Sequence, residues 1–221
     1  DNGFAAAGNG SGGTVYVIDT GIRTTHTEYA SRVVAGYDFV DNDSNPSDCD
    51  GHGTHVAGTA VGSTYGVAKS ANVSGVRVLN CYGSGYTSDV VAGMNWVRTN
   101  HSSGDAVVNM SLGDGGSKSI DDAVAALTSA NITVVVAAGN SNDDAQYYSP
   151  ARASTATPPR RASQSRAATA APPDPAQRFA SALAVSRVPN GGTTGASASS
   201  RALSAATTAS RAFRYRRLVL V

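Results

Sequence analysis

Apolar residues fall along the first 150 positions in two rhythms. Thr14-Val-Tyr-Val-Ile18 is a β-branched and aromatic run of strand length, halted by Asp19-Thr-Gly21. Residues 73–79, 106–112 and 132–138 have the same character and are nearly continuously apolar, the pattern of parallel strands covered on both faces. Helical spacing lies between them. Residues 54–62 are rich in small side chains, residues 88–99 put Val90, Val91, Met94 and Val97 on one face, and residues 119–130 put Ile120, Val124 and Leu127 at i, i+4 and i+7. Ser88 and Ser119 are the expected N-caps, the second backed by Asp121 and Asp122. Strands alternating with helices predict an α/β fold, a doubly wound and mostly parallel sheet with helices on both faces. Such sheets take ligands at the carboxyl ends of their strands.

Composition divides the chain. Over 221 residues the net charge is +1, with 41% hydrophobic and 15% charged residues; the averages look globular, though the charged share is below the usual one of about 25%. Residues 1–150, however, hold 6 Lys and Arg against 15 Asp and Glu, whereas residues 151–221 hold 11 Arg and a single acid, Asp174. Ala, Arg, Ser and Pro make up 46 of those last 71 residues. No run of about 18 apolar residues is present, so no membrane partner is expected. Two cysteines exclude a four-cysteine zinc site and a disulfide-rich miniprotein. The opening Asp1-Asn-Gly-Phe4 has no basic and apolar leader, so a signal peptide is expected to be already removed or never present.

Three motifs stand at or just beyond the predicted strand ends. Asp19 closes the first strand, Gly51-His52-Gly53-Thr54-His55 opens a helix between glycines, and Ala137-Ala-Gly-Asn140 follows the last strand. Singly they read as a turn aspartate, a helix start with two incidental histidines, and a turn. His52 and His55, with no third ligand, make a poor metal site. Together they supply a carboxylate to orient a base, an imidazole to act as that base, and an amide to meet an oxyanion. Those are the parts that amide hydrolysis by a serine needs besides its nucleophile.

Val17-Ile-Asp19-Thr-Gly21, Asp50-Gly-His52-Gly-Thr-His-Val-Ala-Gly58-Thr, Met110-Ser-Leu-Gly113, Ala137-Ala-Gly-Asn140 and Tyr148-Ser-Pro150 resemble the subtilase family of serine peptidases. Tyr65-Gly-Val-Ala68-Lys and Val76-Arg-Val-Leu79 extend the likeness, which runs from about residue 12 to 152 and is strongest to the aqualysin-type members of the proteinase K branch. The resemblance implies a single peptidase domain over residues 1–221, secreted and monomeric, that acts on proteins or peptides without a catalytic cofactor. Asp19 would orient the imidazole, His52 would be the general base, and Asn140 would donate to the oxyanion, with His55 packed in the following helix. Ser111, Leu112 and Gly113 would take the substrate as an added strand. Gly83, Ser84 and Gly85 would flank it, Tyr86 would line a P4 pocket, and Ala137, Ala138 and Gly139 would wall an apolar P1 pocket of broad specificity. Cys49 and Cys81 would form a disulfide, which across 32 residues is worth roughly 3.5–4 kcal/mol on the loop-entropy model and belongs to an oxidising compartment. Asp41, Asp43 and Asp48, in an oxygen-rich loop, are the expected ligands of a structural calcium; a merely solvated acidic loop is the rival.

The resemblance stops near residue 153. The family carries its nucleophile in Gly-Thr-Ser-Met-Ala, but both methionines, Met94 and Met110, precede Asn140. Gly195-Ala-Ser197-Ala echoes that motif and Ser204 lies nearer the family's spacing, yet neither opens an apolar helical pattern. An Ala/Arg/Pro/Ser-rich stretch is what a GC-rich gene yields out of frame, so residues 153–221 are expected not to be the natural continuation. One alternative is an inert subtilase-like binding module lacking the nucleophile. Another is an Arg-rich arm for nucleic acid, against which the arginines are dispersed and Lys is absent; no nucleic-acid partner is expected.

Overall fold

The structure, a computed structural model, describes residues 8–157 and the backbone of residues 217–220. Strand β1 (Thr14–Asp19) divides the core, because successive side chains point to opposite faces. Val15 and Val17 meet Ala57, Ala60 and Val61 of helix α1 (His52–Val61) on one face. Tyr16 and Ile18 share the other with Val90, Met94 and Val97 of α2 (Thr87–Asn100) and Ile120, Val124 and Leu127 of α3 (Lys118–Ser129). The sheet between them is wholly parallel, in the order β2 (Tyr37–Asp38), β3 (Asn72–Arg77), β1, β5 (Ala106–Met110), β7 (Thr133–Val136). It is the doubly wound α/β arrangement with helices on both faces. Thr157 continues it by a parallel bridge to Val135 beside β7, so the described fold runs a few residues past 153.

A smaller antiparallel sheet has the order β4 (Ser84–Tyr86), β9 (Arg217–Leu220), β6 (Leu112–Gly115), β8 (Tyr148–Ser149). The apolar run at 106–112 is therefore two strands. The chain leaves the parallel sheet at Ser111 and passes directly into the antiparallel one, with no turn residue to mark the change. The helices also begin earlier than expected. The residues at the N-cap positions of α2 and α3 are Tyr86 and Ser117, neither making a side-chain cap bond, so Ser88 and Ser119 lie inside the helices. Ser119 instead shares a hydrogen bond with the Ser117 hydroxyl. Asp121 does stand in the first turn of α3, where the helix dipole favours an acid. No helix among the described residues is long and apolar enough to cross a membrane.

Candidate active site

Asp19 ends β1 at the carboxyl edge of the sheet, fully buried. Its backbone carbonyl accepts from the Val78 and Leu79 amides, and its Oδ1 accepts from the Thr20 amide at 2.7 Å. His52 is the first residue of α1, and Gly51 before it turns the chain at φ 109°, a conformation glycine adopts without strain. His52 Nδ1 lies 2.8 Å from Asp19 Oδ1 and 3.0 Å from Oδ2. A carboxylate only accepts, so Nδ1 carries the proton and the neutral ring keeps its lone pair on Nε2. Among the described residues no hydrogen-bond partner stands at that nitrogen. The ring is about three-tenths exposed. Its pKa is raised: the Asp19 hydrogen bond outweighs the loss of hydration, and the charges of Asp19, Asp50 and Asp48 add to it.

Helix and strand meet closely because residue 53 has no side chain. A Cβ on Gly53 would run into the Gly21 carbonyl oxygen and press on Asp19. Asp48 ties the same two elements together. Its Oδ1 accepts from the Thr20 hydroxyl at 2.9 Å and from the Asp50 and Gly51 amides at 3.0 and 2.8 Å. Its Oδ2 accepts from the Thr54 amide and hydroxyl at 2.9 and 2.5 Å, and the Gly53 amide closes the ring onto Thr20 Oγ1 at 2.9 Å.

That use of Asp48 argues against calcium in this loop. Five donors already fill its two oxygens, Asp41 is held by Arg77 at 2.6 Å, and Asp43 Oδ1 caps the Asn45 amide at 2.8 Å. The three carboxylates face protein donors rather than one another, and no metal-holding cluster occurs among the described residues. Asp48 therefore braces the helix and shares no ligand set with Asp41 and Asp43. Cys49 and Cys81 are joined, with Cα atoms 5.0 Å apart.

The remaining site residues fall into two strand edges and one loop. Gly83 precedes β4, which contains Ser84, Gly85 and the largely exposed Tyr86. Ser111 lies between β5 and β6, and Leu112 and Gly113 begin β6. Ala137 follows β7 and donates its amide to the Met110 carbonyl at 3.1 Å, which sets it beside Ser111. Ala138 packs at the edge of the core, while Gly139, at φ 102°, and Asn140 are exposed. No hydrogen bond joins Asn140 to the Asp19–His52 pair among the described residues. His55 is exposed, not packed: it lies about 200° around the helix from Gly53, away from the buried face of Ala57, Ala60 and Val61. Ser197 and Ser204 lie outside the described residues. The sequence reading missed the bracing roles of Thr20, Thr54 and Asp48; an aspartate three residues before a glycine that opens a helix was their signal.

The parallel α/β sheet thus carries, at its carboxyl edge, a buried carboxylate hydrogen-bonded to a partly exposed imidazole, an acid–base pair. The subtilase family matches residues 10–215, and the chain belongs to that family. It is 57% identical over 155 residues to alkaline serine exoprotease A of Vibrio alginolyticus, covering 70% of this chain and 29% of that protein. It is 51% identical over 156 residues to the extracellular serine proteinase of Thermus sp. (strain Rt41A), covering 71% of this chain and 38% of the relative. The crystal structure of a cold adapted subtilisin-like serine proteinase superposes with a TM-score of 0.69 at 53% identity, over 72% of this chain and 57% of that one. The chain thus spans about a third of the length of these two protein relatives.

Proposed function

We propose that this is the acid–base part of a secreted serine endopeptidase that cleaves peptide bonds through an acyl-enzyme. The observation that carries the reading is His52 held by Asp19 through Nδ1, its Nε2 left with a lone pair at the mouth of the site. A serine hydroxyl brought to Nε2 would give up its proton there as it attacked, and Asp19 would hold the resulting imidazolium by charge and geometry. Asn140 is assigned to the oxyanion, β4 and the start of β6 to the substrate backbone, and Ala137, Ala138 and Gly139 to an apolar P1 pocket of broad specificity. The disulfide supports an oxidising, extracellular setting. No cofactor enters the scheme.

A second reading keeps the fold and removes the chemistry. The nucleophile motif of the family is absent from this sequence, and the chain as written is then an inert, peptide-binding member. A shifted frame from about residue 153 reconciles the two, since the natural continuation would restore the serine. Fluorophosphonate labelling of the protein from its source, with the modified peptide mapped by mass spectrometry, decides between them. A label on a Gly-Thr-Ser-Met-Ala peptide supports the endopeptidase. No label, with the Arg-rich tail recovered as written, overturns it in favour of the inert module. Rates on peptides varied at P1 test the pocket; equal rates for charged and apolar P1 side chains would remove the apolar preference.

A further inference from the structure

The backbone of Arg217–Leu220 lies between the two strand edges that the proposed function assigns to substrate. On one side β9 is antiparallel to β4, with Ser84 opposite Val219, Gly85 opposite Leu218 and Tyr86 opposite Arg217. On the other it is antiparallel to β6, with Leu112 opposite Leu220 and Gly113 opposite Val219. Val219 therefore has a partner on both sides, Ser84 and Gly113. The order β4-β9-β6-β8 makes this segment the link between two edges that do not pair with each other. An extended peptide inserted as an added strand makes the same kind of ladder. We propose that the C-terminal strand is a self-docking plug, which closes the cleft of its own chain in the manner of a bound peptide.

Two features of the sequence favour this occupant. Leu218-Val219-Leu220 is an apolar and β-prone run at the end of a segment otherwise dominated by Ala, Arg, Ser and Pro. Residues 151–221 are also strongly basic while residues 1–150 are strongly acidic, with 11 Arg against one acid in the first and 15 acids against 6 bases in the second. Opposite charge draws the tail towards the domain, and the covalent tether makes docking intramolecular, so a strand of modest intrinsic affinity suffices. The inference rests on reading β4 and β6 as the cleft and concerns the chain with residues 151–221 as written, since a continuation in another frame would not carry this strand; it does not depend on the chain being catalytically active.

The test uses the full chain, the full chain carrying Val219→Pro, and a fluorescein-labelled Arg-Leu-Val-Leu-Val peptide as probe. Proline removes the amide that a strand paired on both sides needs. Probe anisotropy should show at least tenfold tighter binding to the V219P chain than to the unsubstituted one. Hydrogen exchange should show residues 84–86 and 112–113 protected in the unsubstituted chain, open in V219P, and protected again with saturating probe. Equal probe affinity for the two chains overturns the plug while the cleft reading stands. Probe binding to neither chain overturns the cleft reading and the plug with it. Rapid exchange at residues 84–86 in the unsubstituted chain overturns the plug without reference to any variant.

Discussion

Thr54 donates both its amide and its hydroxyl to one oxygen of Asp48, at 2.9 and 2.5 Å, while the other oxygen reaches back to the Thr20 hydroxyl. Asp48 thus caps α1 from outside the helix and fastens it to the strand end that carries Asp19. Burial alone would raise the Asp48 pKa, but hydrogen bonds from Thr54, Gly51 and Thr20 outweigh it and hold the carboxyl below its usual range. The depressed value fixes the sign of its pH dependence. The stabilisation is complete above the unfolded pKa of about 3.9 and is lost as pH falls through the lower folded value. Asp48→Ala should cost about 1–2 kcal/mol, in the range of a lost helix cap. Urea denaturation at pH 7 and at acid pH checks both statements: the difference between the two chains should shrink on acidification, and an unchanged difference would remove the linkage.

Asp19→Asn keeps an acceptor near His52 but removes the charge. Because the Asp19 hydrogen bond is the chief cause of the raised His52 pKa, an NMR titration should find the imidazole pKa lower in the variant. In the unsubstituted chain the pair's stabilisation is complete below the unfolded histidine value of about 6.5 and disappears as pH rises through the raised folded value. The variant's stability should be flatter across that window. In a catalytically competent form, turnover should fall by roughly 10⁴, the loss that the same Asp→Asn change causes in the Ser-His-Asp triad of chymotrypsin-type proteases. An unmoved His52 titration would sink the account.

The parallel sheet and the pair at its edge were legible in the sequence because both have local signatures. β1 is a β-branched run broken by Asp19-Thr-Gly21, and His52 sits between two glycines. What was illegible depends on contacts between distant segments. Nothing local distinguishes Ser111, where one sheet hands over to another, from the apolar residues on either side. Asp41, Asp43 and Asp48 look alike in a loop of acids, yet Arg77, the Asn45 amide and the Thr54 hydroxyl draw them apart. β9 follows the same logic: Leu218-Val219-Leu220 is a visible strand former, but its two partners lie more than a hundred residues away in sequence.

Two glycines of α1 separate packing from propensity. Gly53 faces the Gly21 carbonyl with no room for a methyl group, whereas an added Cβ on Gly58 meets nothing within 4 Å. Gly53→Ala should therefore destabilise by about 3 kcal/mol, the upper end for overpacking against backbone. It should also lower the His52 pKa by pushing the helix away from Asp19. Gly58→Ala should stabilise by roughly 0.5–1 kcal/mol, since alanine is the better helix former and nothing obstructs it. Thermal denaturation of the pair gives the two signs. Matching effects would mean that the close approach at Gly53 is unimportant.

Arg77, at the end of β3, is almost fully buried and forms ion pairs at 2.6 Å with Asp38, which is equally hidden, and with the exposed Asp41. Its other terminal nitrogen lies against the sulfurs of the Cys49–Cys81 bridge, at 3.4 and 3.8 Å. The guanidinium therefore joins the β2 edge, the acidic loop and the disulfide. Arg77→Met preserves much of the side chain's bulk but strands the Asp38 carboxylate in the interior, which should cost about 3–5 kcal/mol. Replacing both partners, as Arg77→Met with Asp38→Leu, removes the buried charge altogether and should recover part of that loss, the Val40 and Asp41 amides that Asp38 Oδ1 accepts from being left to find other partners. Denaturant midpoints of the single and double variants decide the matter. If the double variant is no more stable than Arg77→Met alone, the cost lies in lost packing around the disulfide and not in an unpaired charge.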